Sequence, residues 1–373
     1  MSKILILAND YKTIANFRME VVQALLQAGH DVTLSLPEDS RNQCFLSMGC
    51  KVVNTEISRH GTNPIKELRL QSEYRRQIKA CRPDVVLTYT VKPNIYGSMA
   101  AEKLHVPVIN NVTGLGSVLQ KDGLMKKLML ALQKRAYRRS VCVFFQNEGN
   151  LQTFRELGVV GAQAALLPGS GVNLTLHSFC AYPSEREHVD FIIVSRLRKD
   201  KGFDEFFAMV ERVVPHCPKA RFHIVGWVEE ERYRQTLKRY EGSERVIYHG
   251  ETTQSEVHTL LTQAHCLIHP SYHEGMANVL MEAAAAGRPC LASDIPGCRE
   301  AIENGVTGYT FAAQDADALT SAVERFLAQS EEVHAAMGRA GREKMEREFD
   351  RELVIQRYLK EIEAVTAAEV GVS

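Results

Sequence analysis

Residues 266–289 read CLIHPSYHEGMANVLMEAAAAGRP, and the order of residue types in this stretch decides the fold class. The run 266–268 is short and apolar and soon meets Pro270, which predicts a buried strand. A polar loop containing Gly275 follows, and the alanine-rich segment after it predicts a helix that stops at Gly287. The stretch is therefore a strand, a loop and a helix in succession, the repeating unit of a parallel α/β sheet.

The same alternation runs through the rest of the chain in two series. The first has predicted strands at residues 4–8, 31–36, 83–89, 106–110 and 141–145, the last of which ends it, and a helix at 17–28. The second has predicted strands at 191–195, 221–226, 246–248, 266–268 and 289–292, and a helix at 203–214 that Pro215 closes. Such alternation predicts an α/β fold with parallel sheets that carry helices on both faces.

The length of 373 residues exceeds what one hydrophobic core usually supports, so we expect more than one domain. The two series predict domains at residues 1–175 and 176–350, followed by a helix at 351–373 that packs back on the body. Ligands of open α/β sheets bind beyond the carboxyl ends of the strands. The loops that follow the strands are therefore where a site is expected.

The whole chain has no net charge, but its two halves carry net charges of opposite sign. Lys and Arg number 45, as do Asp and Glu, which argues against a strongly basic nucleic-acid-binding protein. Residues 1–180 hold 22 basic and 13 acidic residues, whereas the remainder holds 23 and 32, so the halves are expected to have different partners. The nine cysteines form no C-x-x-C pair and indicate a reduced, intracellular protein. We expect neither a signal peptide nor a membrane-spanning segment.

Two carboxylates and a helix start within 266–289 form the first candidate site. Glu274 lies in the loop and Glu282 further along the helix, so the pair could hold hydroxyl groups at two points of an elongated ligand. The alternative is that Glu274 caps the helix and Glu282 is a solvated surface charge. Small residues at the helix start leave backbone N–H groups open to a diphosphate. The candidate residues there are Gly275, Met276, Ala277, Asn278 and Val279.

The loop after strand 191–195 supplies two candidate cations, Arg196 and Lys201. A guanidinium can grip two phosphate oxygens at once, and an ammonium acts as a compact point charge. The alternative is that both belong to an ordinary run of solvated charges.

The second series is similar to the retaining nucleotide-sugar glycosyltransferases of the GT-B fold, in their large fourth sequence family. The residues that carry the resemblance, in order, are Ser195-Arg196, Lys201-Gly202, Pro270-Ser271, Glu274-Gly275, Glu282-Ala283, Gly287-Arg288-Pro289, Gly297, Glu300-Ala301-Ile302, Gly305 and Gly308. The resemblance implies two Rossmann-like domains whose parallel sheets face each other across a cleft, a UDP-sugar donor, and neither metal nor cofactor. It also implies that Arg196 and Lys201 neutralise the leaving diphosphate, that Glu274 contacts the donor sugar, and that Glu282 holds the ribose.

The first series resembles a subgroup that builds lipid-linked surface oligosaccharides, through TYTVKPNIYG at residues 88–97 and NNVTGLGS at 110–117. Within that subgroup, transfer of N-acetylgalactosamine or a related hexose to an undecaprenyl-diphosphate-linked sugar is common. The chain departs from the family pattern at residues 9–12, where NDYK replaces a glycine-rich loop, and at 113–116, which offers no histidine. The acceptor-side candidates are Lys92, Asn94, Thr113 and Gly114.

A metal site is not expected. Asp315 and Asp317 resemble a metal-binding pair, but the helical residues after them favour an N-cap. His265, His269 and His273 recur every four residues, yet they fall across a predicted strand end rather than on one helix face.

Residues 121–139 combine seven cations and one acid with apolar residues at helical spacing. A basic amphipathic helix is typical of membrane-surface binding, although a surface helix covering the sheet is the alternative. The candidate lipid contacts are Lys126, Lys127, Arg135 and Arg138.

The resemblance thus implies a cytoplasmic hexosyltransferase, peripheral on the inner face of the membrane, with a UDP-sugar donor and a lipid-linked saccharide acceptor. The alternatives are a nucleotide-sugar 2-epimerase of the same fold, which would form product without an acceptor, and a non-catalytic nucleotide-sugar or glycan binder. A nicotinamide dehydrogenase is disfavoured because no G-x-G-x-x-G follows the first strand.

Overall fold

The computed structural model describes residues 1–57, 63–114, 123–184 and 187–370, with side chains as far as residue 367. The chain divides into two compact units, residues 1–170 with 352–373, and residues 171–351. The last helix therefore belongs to the first unit.

The first unit is built on a parallel sheet. Its strands among the described residues are β1 (Lys3–Leu7), β2 (Asp31–Leu36), β3 (Lys51–Asn54), β4 (Val85–Tyr89), β5 (Val108–Val112), β6 (Cys142–Phe145) and β7 (Ala164–Leu166). They lie in the order β3-β2-β1-β4-β5-β6-β7. The helices are α1 (Tyr11–Ala15), α2 (Met19–Gln27), α3 (Gln43–Ser47), α4 (Pro64–Cys81), α5 (Ser98–Glu102), α6 (Leu124–Tyr137), α7 (Glu148–Glu156) and the last helix, α14 (Arg351–Val370).

Helices cover both faces of this sheet because the side chains of β1 alternate. Ile4 and Ile6 are buried with residues of α2, α3 and α14, whereas Leu5 and Leu7 are buried with residues of α4 and α5. A strand that is buried on both faces is expected in a parallel sheet with helices on each side.

The second unit repeats the architecture. Its strands within the described ranges are β8 (Val189–Val194), β9 (Ala220–Val225), β10 (Val246–Gly250), β11 (Cys266–His269), β12 (Cys290–Ser293) and β13 (Gly308–Phe311), in the order β10-β9-β8-β11-β12-β13, all parallel. Its helices are α8 (Phe203–His216), α9 (Glu231–Lys238), α10 (Gln254–Gln263), α11 (Asn278–Ala285), α12 (Ala316–Leu327) and α13 (Glu331–Lys344). Each unit thus has the doubly wound form that the alternation predicts.

The structure differs from the sequence-based expectations at three edge strands and at one helix end. The first series does not end at β6, because β7 adds an edge strand, and the edge strands β3 and β13 were not expected. All three have only three or four residues, so none has the long apolar run that marks the central strands. The helix α8 also continues past Pro215 to His216. Since the helix ends there, the missing N–H of Pro215 removes one hydrogen bond from the last turn only.

Candidate active site

Two loops meet at the carboxyl ends of neighbouring strands in the second unit. The loop after β8 carries Lys201, and the loop after β11 begins at Pro270. The backbone N–H of Tyr272 donates to the carbonyl of Asp200 at 2.9 Å. Gly202 has φ +73°, and a Cβ there would lie 2.0 Å from the carbonyl oxygen of Pro270. Only glycine allows so close an approach, and this approach brings the two loops together.

The contact between the loops places Lys201 against Glu274. The ammonium Nζ of Lys201 lies 2.5 Å from Oε1 of Glu274, and Nε2 of His269 lies 3.0 Å from the same oxygen. Lys201 also reaches Oγ of Ser271 at 3.5 Å. The side chains of Lys201 and Glu274 are only 16% and 14% exposed, so this ion pair is largely shielded from water.

Burial alone would raise the pKa of Glu274, but the Lys201 charge and the His269 hydrogen bond outweigh burial and hold this pKa well below its usual range. Glu274 is therefore a carboxylate at neutral pH. The hypothesis that Glu274 caps α11 is wrong, because its carboxylate turns to Lys201 and His269.

The start of α11 lies beside this ion pair. Its N-cap residue is Ala277, and no side chain of the described residues caps the helix there. The backbone N–H of Ala277 donates to the carbonyl of Gly297 at 2.9 Å, and a Cβ on Gly297 would lie 2.9 Å from Glu274. The loop after β12 therefore packs on the loop that carries Glu274. An uncapped helix start beside a cation is suited to a bound diphosphate.

Glu282 lies on α11 and is not a solvated surface charge, so that alternative was wrong. Burial raises the pKa of Glu282 to about 7, against the lowering effect of the Arg351 charge. A carboxyl group with this pKa can accept or donate a hydrogen bond near neutral pH, which suits contact with a hydroxyl group.

Arg196 does not join Lys201 in this structure. Its Nη1 lies 3.0 Å from Oε2 of Glu229, and its guanidinium lies 5.9 Å from the ring centre of Trp227. Both partners follow β9, at the same edge of the sheet. The side chains of Arg196 and Glu229 are 41% and 37% exposed, so the pair is weak and can exchange its partner. No sequence signal pointed to Glu229 or Trp227, since neither belongs to a recognised motif.

Among the residues that the structure describes, no group of three or more histidine, cysteine or acidic side chains could hold a metal ion. Asp315 accepts from the backbone N–H groups of Asp317 and Ala318 and caps α12, as the sequence predicts.

The acceptor-side candidates lie in the first unit, at the carboxyl ends of β4 and β5. Lys92 pairs with Glu67 at 2.6 Å, and both side chains are mostly buried. Asn94 is 2% exposed and accepts from the hydroxyl of Thr88 at 2.7 Å. Thr113 and Gly114 directly follow β5 and are partly exposed. The remainder of the NNVTGLGS motif, residues 115–117, lies outside the described residues.

The basic stretch forms α6, but its cations divide into two groups. Arg135, Arg138 and Arg139 all contact the carboxylate of Glu102, the latter two at 3.5 and 3.2 Å. The first turn instead exposes three large apolar residues next to Lys126 and Lys127. These are Leu124, Met125 and Leu128, which are 84%, 43% and 51% exposed. Lys121 lies outside the described residues. No helix in the searched part of the chain is long and apolar enough to cross a membrane.

Comparison with known proteins agrees with this architecture. Residues 3–147 match the family model described as glycosyl transferase 4-like, and residues 181–344 match that of glycosyl transferases group 1. The sucrose-phosphate synthase of Thermosynechococcus elongatus superimposes with a TM-score of 0.81 at 19% identity, covering 99% of this chain and 100% of that one. The HepE protein of Anabaena, in complex with UDP and glucose, superimposes at 0.78 with 16% identity, covering 98% and 100%.

Two curated relatives have similar sequences. The N,N'-diacetylbacillosaminyl-diphospho-undecaprenol alpha-1,3-N-acetylgalactosaminyltransferase of Campylobacter jejuni is 27% identical over 365 residues, covering 93% of this chain and 95% of that protein. The UDP-Gal:alpha-D-GlcNAc-diphosphoundecaprenol alpha-1,3-galactosyltransferase of Escherichia coli is 24% identical over 280 residues, covering 70% of each chain.

The predicted GT-B architecture of two Rossmann-like units is thereby confirmed, and the family domains and named relatives identify the chain as a glycosyltransferase. The second unit carries a domain of the glycosyl transferases group 1 model, and the first unit carries a glycosyl transferase 4-like domain.

Proposed function

We propose that this enzyme is a retaining transferase that moves a hexose or N-acetylhexosamine, with N-acetylgalactosamine as the first candidate, from a UDP-sugar to an undecaprenyl-diphosphate-linked saccharide. The product would enter bacterial surface polysaccharide. The observation that carries the proposal is the Lys201–Glu274 pair at 2.5 Å beside the uncapped start of α11. The names of the Campylobacter and Escherichia relatives, which both act on diphosphoundecaprenol-linked sugars, support the acceptor class.

The donor would bind by replacing the contact between Lys201 and Glu274 with contacts to its own groups. The diphosphate takes the ammonium of Lys201 and the N–H groups of α11, and a sugar hydroxyl donates to the carboxylate of Glu274. Because His269 still contacts Oε1, Glu274 keeps its position when Lys201 turns to the phosphate. Glu282 holds the ribose hydroxyls. Departure of UDP then places negative charge where Lys201 and the helix start already stabilise it.

Arg196 would complete the phosphate site by leaving Glu229. Their exposed ion pair contributes about 0–1 kcal/mol, so a diphosphate competes for the guanidinium at little cost.

The test is a panel of UDP-sugars with a synthetic short-chain prenyl-diphosphate sugar as acceptor. We expect transfer that needs the acceptor and keeps the anomeric configuration of the donor. Glu282→Gln should lower kcat/KM for the donor, whereas Glu324→Gln, a charge change on an exposed residue of α12, should leave it unchanged. Product without any acceptor would support the epimerase instead, and donor binding without turnover would support the non-catalytic binder.

Contact with the inner membrane surface is part of the proposal. The first turn of α6 presents Leu124, Met125 and Leu128 together with Lys126 and Lys127, a combination suited to anionic lipid. Each lysine near such a surface contributes about 1 kcal/mol, so reversing both charges should weaken liposome binding by at least about 30-fold.

The matched control for this experiment reverses Lys79 and Lys103, two exposed lysines elsewhere in the first unit. It changes the net charge equally and should bind anionic liposomes as the wild type does. Equal sedimentation of the α6 variant and the wild type would show that this turn is not the membrane contact.

A further inference from the structure

A cavity of about 810 Å³ lies in the first unit, at the carboxyl ends of β2 and β3. Its walls are the segments that follow these two strands, one side of α4, and Lys92. The volume falls within the range of small-molecule sites, about 300–1,000 Å³, and the place is where open α/β sheets bind ligands. None of the contacts described for the donor site involves this cavity.

Glu67 of α4 lines the cavity and has an unsatisfied carboxylate oxygen. The residue is 8% exposed, and its Oε1 accepts from Nζ of Lys92 at 2.6 Å. Its Oε2 is buried and has no hydrogen-bond partner among the described residues. A buried carboxylate oxygen without a donor is unfavourable, so a ligand that donates a hydrogen bond to Oε2 would bind there preferentially.

The charges of the cavity favour a neutral ligand over an anion. Four carboxylates and four lysine or arginine side chains line it, so they balance. Two of the cations are already neutralised, Lys92 by Glu67 and Arg76 by Glu73, the latter at 2.7 Å. A phosphate would meet the free oxygen of Glu67 and be repelled, whereas a hydroxyl group would donate to it.

The wall behind Glu67 is held rigidly and is partly apolar. The hydroxyls of Ser35 and Thr55 lie 2.6 Å apart, and Nε2 of Gln77 donates to Thr55 at 2.7 Å and to Glu73 at 2.9 Å. Leu70 adds an apolar surface. Carboxylate acceptors beside a hydrocarbon surface match a sugar ring, which has hydroxyl groups at its edge and C–H groups on its faces.

We propose that this cavity binds a saccharide, with one hydroxyl donating to Oε2 of Glu67 and Lys92 positioning that carboxylate. We assign this saccharide as the sugar part of the lipid-linked acceptor, an assignment that rests on the proposed function. The cavity is thus the acceptor-specificity site of the first unit.

The first experiment measures binding without turnover. Saturation-transfer NMR of the full chain with methyl N-acetyl-α-D-glucosaminide, methyl N-acetyl-α-D-galactosaminide and methyl α-D-glucoside should show contact with at least one glycoside. The signal should be lost in Glu67→Gln and kept in Glu73→Gln. Glu73 is a matched control, because it lies on the same helix and cavity wall but Arg76 and Gln77 already engage its carboxylate.

The second experiment measures transfer. Loss of a hydrogen bond to a charged group predicts a rise in acceptor KM of about 10- to 100-fold for Glu67→Gln, with an unchanged KM for the UDP-sugar. An unchanged acceptor KM in this variant would overturn the proposal. A thermal melt establishes that Glu67→Gln is folded; if it is not, Arg69→Trp, which narrows the cavity from its exposed side and leaves the ion pair intact, takes its place with the same expectation.

The two proposals fail separately. If the wild type transfers no sugar from any donor, the proposed function fails, but a glycoside signal that depends on Glu67 still supports the saccharide site. If glycosides give no signal, give the same signal in Glu67→Gln, or are displaced by inorganic phosphate, the saccharide site is wrong even when transfer is observed.

Discussion

The pKa of Glu282 leads to a prediction about stability that needs no substrate. Its folded pKa is about 7, whereas an exposed glutamate has a pKa near 4.5. Between these values the folded second unit binds a proton that the unfolded chain has released, so its stability falls as pH rises. The slope is about 1.4 kcal/mol per pH unit, which gives a loss of up to about 3 kcal/mol between pH ~4.5 and ~7. Below the unfolded pKa, both states are protonated and this loss is absent.

Glu282→Gln removes this titration, since an amide does not ionise. Relative to the wild type, the variant should therefore gain about 3 kcal/mol in free energy of unfolding as the pH is raised from ~4.5 to ~7. The chain has a single tryptophan, Trp227, and it lies in the second unit, so urea unfolding followed by its fluorescence reports on that unit. Other titrating groups cancel in the difference, and Glu324→Gln should show no such gain. The contrary result is that the free energies of unfolding of the wild type and the variant differ by the same amount at every pH in this range. That result would show that Glu282 is ionised in the folded enzyme and that our account of its burial is wrong.

The remaining predictions concern the loops around the donor site. Lys201→Met should raise the pKa of Glu274, since burial then acts without the opposing charge, and should lower kcat by about 10²- to 10³-fold, which steady-state kinetics would detect. Gly202→Ala should lower both Tm and activity, because its Cβ would lie 2.0 Å from a carbonyl oxygen; a variant as stable and active as the wild type would contradict the close contact. UDP should change the emission of Trp227 as Arg196 leaves its ring, and Arg196→Ala should abolish that change, as a fluorescence titration would show.

The fold could be predicted from the sequence where strands are buried on both faces. The strand β2 begins and ends where expected, and β8 and β11 differ from expectation by one or two residues at an end. The prediction failed at the edge strands β3, β7 and β13, because an edge strand needs fewer apolar residues and each of these has only three or four residues. It also ended α8 too early, since a proline in the last turn disrupts little of the helix.

The residues of the candidate donor site could be located from the sequence, but their partners in the structure could not. Motif order places Lys201 and Glu274 in loops after two different strands, which meet at one sheet edge. Motif order does not reveal that the two side chains pair with each other, because that contact depends on Gly202 and its approach to Pro270. Nor does it reveal Glu229, whose position beside Arg196 follows from the sheet order β9-β8.

Asn94 is a motif residue whose side chain is hydrogen-bonded inside the first unit. Its amide donates to the carbonyl of Asn111 at 2.8 Å, and Thr88 donates to its carbonyl oxygen. Asn111 in turn accepts from the hydroxyl of Tyr358 on α14. These groups are almost fully buried, and a buried amide network of this kind is stable only when its members find partners, so it tolerates one arrangement.

The network ties together the carboxyl ends of β4 and β5 and the last helix of the chain. Lys92 stands two residues before Asn94, and Thr113 stands two residues after Asn111. The backbone that carries both candidate acceptor contacts is therefore held in place by buried side chains that are hydrogen-bonded to one another.

Asn110 joins this network by donating to the hydroxyls of Thr88 and Ser98, which explains why asparagine occurs twice in a central buried strand, where apolar residues are otherwise expected. The network also implies that the polar residues of the motif differ in role. The buried ones hold the sheet edge in place, Lys92 pairs with Glu67, and the partly exposed Thr113 is the candidate for direct contact with a saccharide.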